Sequence, residues 1–212
     1  MLLQTILEMN FITHFILGLL IGYVSLIQPG MINMTTVRTT LQHGKKNAIK
    51  FAFGASLIVL VQASIALIFT EYFTNHPEVI DGLSLVGGIV FFLLAAFFFY
   101  QARKPFKAEG KDKKSGFVTM GIFMSSINML AIPFYLGMAT YLSFKGYLLL
   151  RQPFISLFVV GAATGAFLLF YTYTSFAKII EQRAQFIASN INYILSGLFL
   201  ILGIMVFIQK VF

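Results

Sequence analysis

Long stretches without a charged residue constrain this chain more than any other feature. Six of them contain no Asp, Glu, Lys or Arg, and each is at least 20 residues long: Met9–Val37, Phe51–Thr70, Gly82–Ala102, Ser115–Phe144, Gln152–Ala177 and Ala184–Gln209. A bilayer core about 30 Å thick is crossed by about 20 apolar residues in a helix. The pattern therefore predicts an all-α membrane protein with six transmembrane helices, in a single transmembrane domain over residues 1–212.

The composition excludes several classes of protein. Hydrophobic residues make up 58% of the chain and charged residues 10%, whereas soluble domains average about 45–50% and about 25%. Such a chain cannot cover a water-facing surface with polar groups, which excludes a soluble globular protein and a nucleic-acid-binding module. The absence of Cys excludes disulfides, thiolate metal sites and a cysteine nucleophile. The expected partners are the lipid bilayer and a small molecule.

The basic residues predict the orientation in the membrane. Twelve of the 15 Lys and Arg residues lie in the connections after predicted helices 1, 3 and 5, and the opposite side holds only Lys145, Arg151 and Lys210. Cytoplasmic loops carry the excess of Lys and Arg, so both termini are predicted to lie outside. Topology alone explains these loops, and binding of anionic lipid headgroups is the alternative.

The polar segment 103–116 divides the chain into two sets of three predicted helices, 1–102 and 117–212. Because three is odd, a second half that resembles the first must be inverted in the membrane, as in many transporters. A weak repeat with an offset of 104 residues supports this plan, and chance explains it equally well. It pairs Pro29, Met34 and Thr36 with Pro133, Met138 and Thr140.

Helices 1 and 4 are longer than one crossing requires, and each contains a proline. Proline removes a backbone hydrogen bond and clashes with the preceding turn, so we predict broken helices at Pro29–Gly30 and at Asn128–Pro133. Each break creates a helix N-terminus near the midplane, where a carboxylate is stabilised. A simple kink in a packed helix is the alternative. The predicted substrate-binding residues here are Gln28, Pro29, Gly30, Asn33, Asn128 and Pro133.

Other polar residues in the spans have two interpretations each. Gln62 can bind the substrate or form a helix–helix hydrogen bond, and Tyr171 can line a gate or belong to an interfacial aromatic belt. His14 is expected at the membrane interface rather than in a proton relay. The small residues from Gly161 to Gly165 favour close helix packing.

No motif supports catalysis, a metal site or a cofactor. The three His residues lie in different regions, and the spans contain no carboxylate that could hold a hard cation. Phosphate-binding and nucleophile-elbow motifs are also missing, so neither an ATP-driven pump nor a hydrolase is supported.

Two segments resemble the LysE/RhtB family of bacterial amino-acid exporters. The first runs Gly18…Gly22…Gln28-Pro29-Gly30-Met31-Ile32-Asn33…Gln42-His43-Gly44…Gly54, and the second runs Gly121-Ile-Phe-Met-Ser-Ser-Ile-Asn128…Phe134-Tyr135-Leu136. The family carries Pro-Gly-Pro in the first segment and Asn-Pro-Lys in the second. Here Met31 replaces the second proline, and Met129 and Leu130 follow Asn128. The missing lysine removes a cation from the pathway that the family pattern implies.

The resemblance implies a secondary transporter in the bacterial inner membrane that exports amino acids or similar small zwitterions. Its substrate carboxylate would lie between the two broken helices, and alternating access would come from one repeat moving against the other. The alternative is a non-transporting membrane scaffold or accessory subunit, which would not need a pair of broken helices. Glycine-rich helix faces also suit a homodimer.

Overall fold

The computed structural model describes residues 2–27, 30–103, 116–128 and 130–211, and every element in these ranges is a helix. This confirms the predicted all-α class. The helices are α1 (Leu2–Ser25), α2 (Met31–His43), α3 (Lys45–Asn75), α4 (Pro77–Ala102), α5 (Phe117–Ser126), α6 (Ala131–Phe144), α7 (Phe154–Ser175) and α8 (Ala177–Val211).

Two of these helices, α3 and α7, are long and apolar enough to cross a membrane. The α5–α6 pair counts as a third span if the bent pair is taken together. Shorter apolar stretches lie within α1, α4 and α8: Asn10–Ser25, Phe91–Tyr100 and Tyr193–Ile208. Helix α3 extends beyond the predicted span at both ends. The Lys-containing segment before Phe51 is helical, and so are the residues from Thr70 to Asn75.

Glycine ends two of the helices by adopting a backbone conformation that other residues avoid. Gly44 has φ 83° between α2 and α3, and Gly146 has φ 73° after α6. Glycine populates this left-handed region without a steric penalty from a Cβ. The Gly44 N–H donates to the Thr40 carbonyl at 3.1 Å, which closes the last turn of α2.

The chain forms two compact units. The first comprises Met1–Tyr72 and Ala108–Glu181, and the second comprises Phe73–Lys107 and Gln182–Phe212. The first unit therefore contains the interrupted helix pairs α1–α2 and α5–α6, together with α7 and most of α3. The second contains α4 and most of α8.

Within the first unit, α1 and α7 pack with their backbones in contact. A Cβ added to Gly22 would collide with the Ala162 carbonyl oxygen, and one added to Gly165 would collide with the Leu19 carbonyl oxygen. The packing role predicted for the small residues of α7 is therefore confirmed.

Helices α3 and α5 make a second contact of the same kind. Here a Cβ on Gly54 would meet the Val118 carbonyl oxygen, and a Cβ on Gly121 would meet the Phe51 carbonyl oxygen. In both pairs glycine allows the backbones to approach more closely than any side chain permits. We call these two contacts the glycine seams.

His14 connects α1 to the segment between α6 and α7. Its ring nitrogens lie 2.6 Å from the Asn10 carbonyl oxygen and 3.0 Å from the Leu149 backbone nitrogen. Because the carbonyl needs a donor and the N–H needs an acceptor, Nδ1 carries the proton and Nε2 accepts. The ring also lies 4.6 Å from that of Phe154 and is only 2% exposed. His14 is therefore a buried side chain with a hydrogen bond at each ring nitrogen.

In the second unit, aromatic rings join α4 to α8. Phe98 stacks on Phe199 with ring centroids 5.6 Å apart, and Phe92 lies 5.5 Å from Phe207. The Ser196 hydroxyl donates to the Ala95 carbonyl at 2.9 Å. The phenylalanines of α4 thus serve helix packing.

One side of α1 presents apolar side chains that the protein does not cover. They recur every four residues, so they lie on one face of the helix: Ile12, Ile16, Leu20 and Val24, between 46% and 61% exposed. A contiguous apolar stripe of this kind is typical of a surface in contact with lipid.

Candidate functional site at two helix interruptions

The first interruption lies between Ser25 and Met31, where the sequence predicts a break. Gly30 is the N-cap of α2 with extended backbone angles of −96° and −178°, and no side chain caps this helix. The Gly30 carbonyl accepts the first hydrogen bond of α2, from Met34 at 3.0 Å. The predicted site residues Gln28 and Pro29 lie outside the described residues.

Two side chains bind the carbonyl groups exposed at this interruption. The Asn33 amide donates to the Leu26 carbonyl at 2.5 Å, and the Tyr173 hydroxyl donates to the Ile27 carbonyl at 2.8 Å. Both side chains are buried. The last carbonyls of a helix have no partner within it, so these bonds stabilise the end of α1. Asn33 was predicted to bind substrate, and here it serves the backbone.

A third contact links this helix end to the other interrupted pair. The Ser25 hydroxyl donates to the Gly22 carbonyl at 2.7 Å, and its oxygen lies 3.0 Å from the hydroxyl of Tyr135 in α6. Since the Ser25 proton is already used, Tyr135 is the donor. Tyr135 is completely buried, so this bond fixes α6 against the end of α1.

The second interruption lies between Ser126 and Ala131, and it bends α6 by 65° from α5. The Asn128 N–H donates to the Ser125 carbonyl at 3.1 Å, and the Asn128 side chain is partly exposed. Pro133 is the third residue of α6 and is exposed. In the first helical turn the missing proline N–H costs little. Pro133 therefore lies just inside a new helix and does not kink a continuous one.

Gln62 of α3 binds both carbonyl groups exposed at the second interruption. Its Nε2 donates to the Ser125 carbonyl at 3.0 Å and to the Asn128 carbonyl at 3.3 Å. Only the NH₂ group can donate to two carbonyls, which determines the orientation of the amide. The opposite atom, Oε1, is buried and has no hydrogen-bond partner among the described residues. The helix–helix hydrogen bond that the sequence allows for Gln62 is thus observed, and its Oε1 acceptor takes no part in it.

Tyr171 does not reach the interruptions. Its side chain is 49% exposed, whereas Tyr173, two residues later, is the one that binds Ile27. Successive helical residues are separated by about 100°, so two positions move a side chain to the other side of the helix. Tyr173 follows Gly165 by eight residues, on the buried face of α7. That spacing from the predicted packing face was the sequence signal that could have identified Tyr173.

The arrangement places opposite partial charges close together. The helix dipole makes the N-termini of α2 and α6 partially positive and the C-termini of α1 and α5 partially negative. Neither Gly30 nor Leu130, the two N-cap residues, supplies a side-chain cap. Each interruption therefore offers both donors and acceptors from the backbone, which suits a small ligand that carries both signs of charge.

Comparison with known proteins identifies the family. No curated protein and no solved structure matches the chain. The family model of the LysE type translocator matches residues 23–210, which is most of the chain and includes both interruptions. Translocators of this family are membrane transporters, typically of amino acids, and are not enzymes. The chain belongs to the LysE type translocator family.

Proposed function

We propose that this protein is a secondary exporter of amino acids or similar small zwitterions in the bacterial inner membrane. It is built of six spans in two inverted repeats, with both termini outside. The observation that carries the proposal is a reciprocal contact. Helix α3 of the first half binds the interrupted pair α5–α6 of the second half, and α7 of the second half binds the interrupted pair α1–α2 of the first. Gln62 of α3 binds the end of α5, and Tyr173 of α7 binds the end of α1.

The glycine seams support the same correspondence. Gly54 precedes Gln62 by eight residues, and Gly165 precedes Tyr173 by eight. Gly54 meets Val118, and Gly165 meets Leu19. Gly165 lies 111 residues after Gly54, and Val118 lies 99 residues after Leu19.

The other glycine of each seam repeats these offsets. Gly121 meets Phe51, and Gly22 meets Ala162. Gly121 lies 99 residues after Gly22, and Ala162 lies 111 residues after Phe51. Four contacts with two shared offsets are stronger support for a repeat than the three identities at offset 104. They also replace Pro29 and Pro133 as the basis for aligning the halves.

In the proposed mechanism, the substrate carboxylate binds at the N-terminus of α2 or α6, where helix dipoles favour an anion. Gln28, Pro29, Gly30, Asn33, Asn128, Pro133, Gln62 and Tyr171 are the residues proposed for the site from the sequence. Among those that the structure describes, the side chain of Asn128 is best suited to ligand contact, because it is partly exposed at an interruption. Movement of one repeat against the other would then expose the site alternately to each side.

Efflux from bacteria fed a panel of dipeptides tests this proposal, because intracellular hydrolysis loads each amino acid in turn. We expect faster appearance of one or more amino acids outside cells that contain the protein, and loss of that effect in Asn128→Ala. The substitution keeps the backbone carbonyl that Gln62 binds, so folding should be preserved.

Asn47→Ala is the matched control, since Asn47 is also partly exposed and its amide donates to the nearby His43 carbonyl. We expect normal export from this variant. Normal export by Asn128→Ala would contradict the site. Absence of amino-acid efflux across the whole panel would contradict the substrate class.

A further inference from the structure

The unused acceptor of Gln62 requires an explanation. Gln62 is 5% exposed, and its Oε1 is buried with no hydrogen-bond partner among the described residues. A buried acceptor without a donor is costly, and such groups are few in native proteins. The end of α5 needs only donors, and the Nε2 atom supplies them. The helix end therefore leaves the Oε1 atom unused.

At the first interruption, two side chains share the role that Gln62 has alone at the second. There the donor from α7 is the Tyr173 hydroxyl, which reaches the Ile27 carbonyl at 2.8 Å. Of the two side chains that reach an interruption from α3 and α7, Gln62 carries a carbonyl oxygen besides its donor, whereas Tyr173 has only its hydroxyl.

The atoms around this oxygen indicate what it would bind. Gln62 Oε1 shares its surroundings with the carbonyl oxygens of Ser125 and Asn128 at the negative end of the α5 dipole. Two carbonyl oxygens and the partial negative charge of a helix C-terminus nearby favour a ligand that donates hydrogen bonds and carries positive charge. An ammonium group has three donors and no acceptor.

We propose that Gln62 Oε1 accepts a hydrogen bond from the ammonium group of the substrate and so selects substrates that carry a protonated amine. The inference rests on the proposed function. The second interruption then recognises the amine without a buried carboxylate. Oε1 is buried in this conformation and lacks a donor among the described residues. In the proposal, the ammonium group supplies that donor when the substrate is enclosed by the protein.

Paired ligands that differ only at the amine test the assignment. Binding to the purified protein is measured for L-alanine and L-lactate, and for L-leucine and L-2-hydroxy-4-methylpentanoate, each pair exchanging an ammonium for a hydroxyl. For wild type we expect at least one amino acid to bind about tenfold or more tightly than its hydroxy acid, since a hydrogen bond to a charged group is the stronger kind. In Gln62→Met we expect this ratio to fall towards one.

The ratio separates ligand recognition from a structural role. If Gln62 only stabilises the end of α5, Gln62→Met weakens both members of a pair equally and the ratio is kept, which overturns the assignment. Gln62→Glu keeps an acceptor but loses the two Nε2 hydrogen bonds, so we expect weaker binding of both members of a pair and a retained preference for the amine. Tyr173→Phe, which removes the bond at the other interruption, should leave the ratio unchanged.

Wild-type binding separates this inference from the proposed function. Equal binding of an amino acid and its hydroxy acid would overturn the role of Gln62 and leave amino-acid transport standing. Failure of wild type to bind either amino acid, together with an absence of efflux in the dipeptide panel, would overturn both.

Discussion

The two helix interruptions share one backbone plan and differ in the side chains that close them. At the first, the Asn33 amide and the Tyr173 hydroxyl each bind one carbonyl. At the second, the single amide of Gln62 binds two. A carbonyl in a membrane interior must have a donor, but the donor can be an amide or a hydroxyl.

This difference shows that the two interruptions can share a backbone arrangement without sharing side chains. The arrangement requires a glycine where the backbones touch and a hydrogen-bond donor two helical turns further along the same helix. Gly54 and Gln62 meet these requirements in α3, and Gly165 and Tyr173 meet them in α7. The type of donor is free to change. Selection for substrate can then act on one interruption without loss of the helix end at the other.

The largest expected effect comes from breaking a glycine seam. In Gly165→Ala the new Cβ collides with the Leu19 backbone carbonyl, which cannot rotate away as a side chain can. Overpacking costs about 1–3 kcal/mol and occasionally more, so we expect a strongly lowered melting temperature in detergent and a low yield of folded protein.

Two further glycine variants test whether the seams are equivalent. Gly54→Ala should destabilise by a similar amount, because its Cβ meets the Val118 carbonyl in the same way. Gly137→Ala, in α6, is the matched control, since nothing lies within 4 Å of its Cβ. A wild-type melting temperature for Gly165→Ala would contradict the close approach of α1 and α7.

A smaller effect is expected at the helix ends. Tyr173→Phe removes the hydroxyl that binds the Ile27 carbonyl, and a typical intramolecular hydrogen bond contributes about 0.5–1.5 kcal/mol. We expect a lower melting temperature, by a few degrees at about 2–4 °C per kcal/mol for a chain of this size.

Tyr171→Phe supplies the comparison for this variant. Tyr171 is exposed on the other side of α7, so its hydroxyl should contribute little to stability. Equal melting temperatures for the two phenylalanine variants would show that the Tyr173 bond does not stabilise the end of α1.

The positions of the interruptions could be predicted because proline and glycine act locally. Pro29–Gly30 and Asn128–Pro133 mark the segments that separate α1 from α2 and α5 from α6. The exact role of Pro133 could not be predicted, because a proline that kinks a helix and one that begins a helix look alike in sequence. Only the backbone bond from Phe134 to Leu130 shows that α6 begins before Pro133.

The partners of the interruptions were harder to predict because they come from distant parts of the chain. Gln62 is the lone amide of its predicted span, yet its contact with Ser125 joins residues 63 positions apart. The contact of Tyr173 with the end of α1 was missed for a related reason. Without knowledge of which face of α7 meets α1, two neighbouring tyrosines are equivalent candidates.

The smallest effect is expected at the contact between Ser25 of α1 and Tyr135 of α6. Ser25→Ala removes the acceptor of the buried Tyr135 hydroxyl, whereas Tyr135→Phe removes a donor from a serine that still bonds to Gly22. Leaving a buried donor unsatisfied costs more than removing it, so Ser25→Ala should destabilise by about 1 kcal/mol and Tyr135→Phe by less. Melting temperatures of both variants measure the difference. If Tyr135→Phe were the more destabilising change, the hydroxyl would have to act through a partner other than Ser25, and the first interruption would not be tied to α6 in this way.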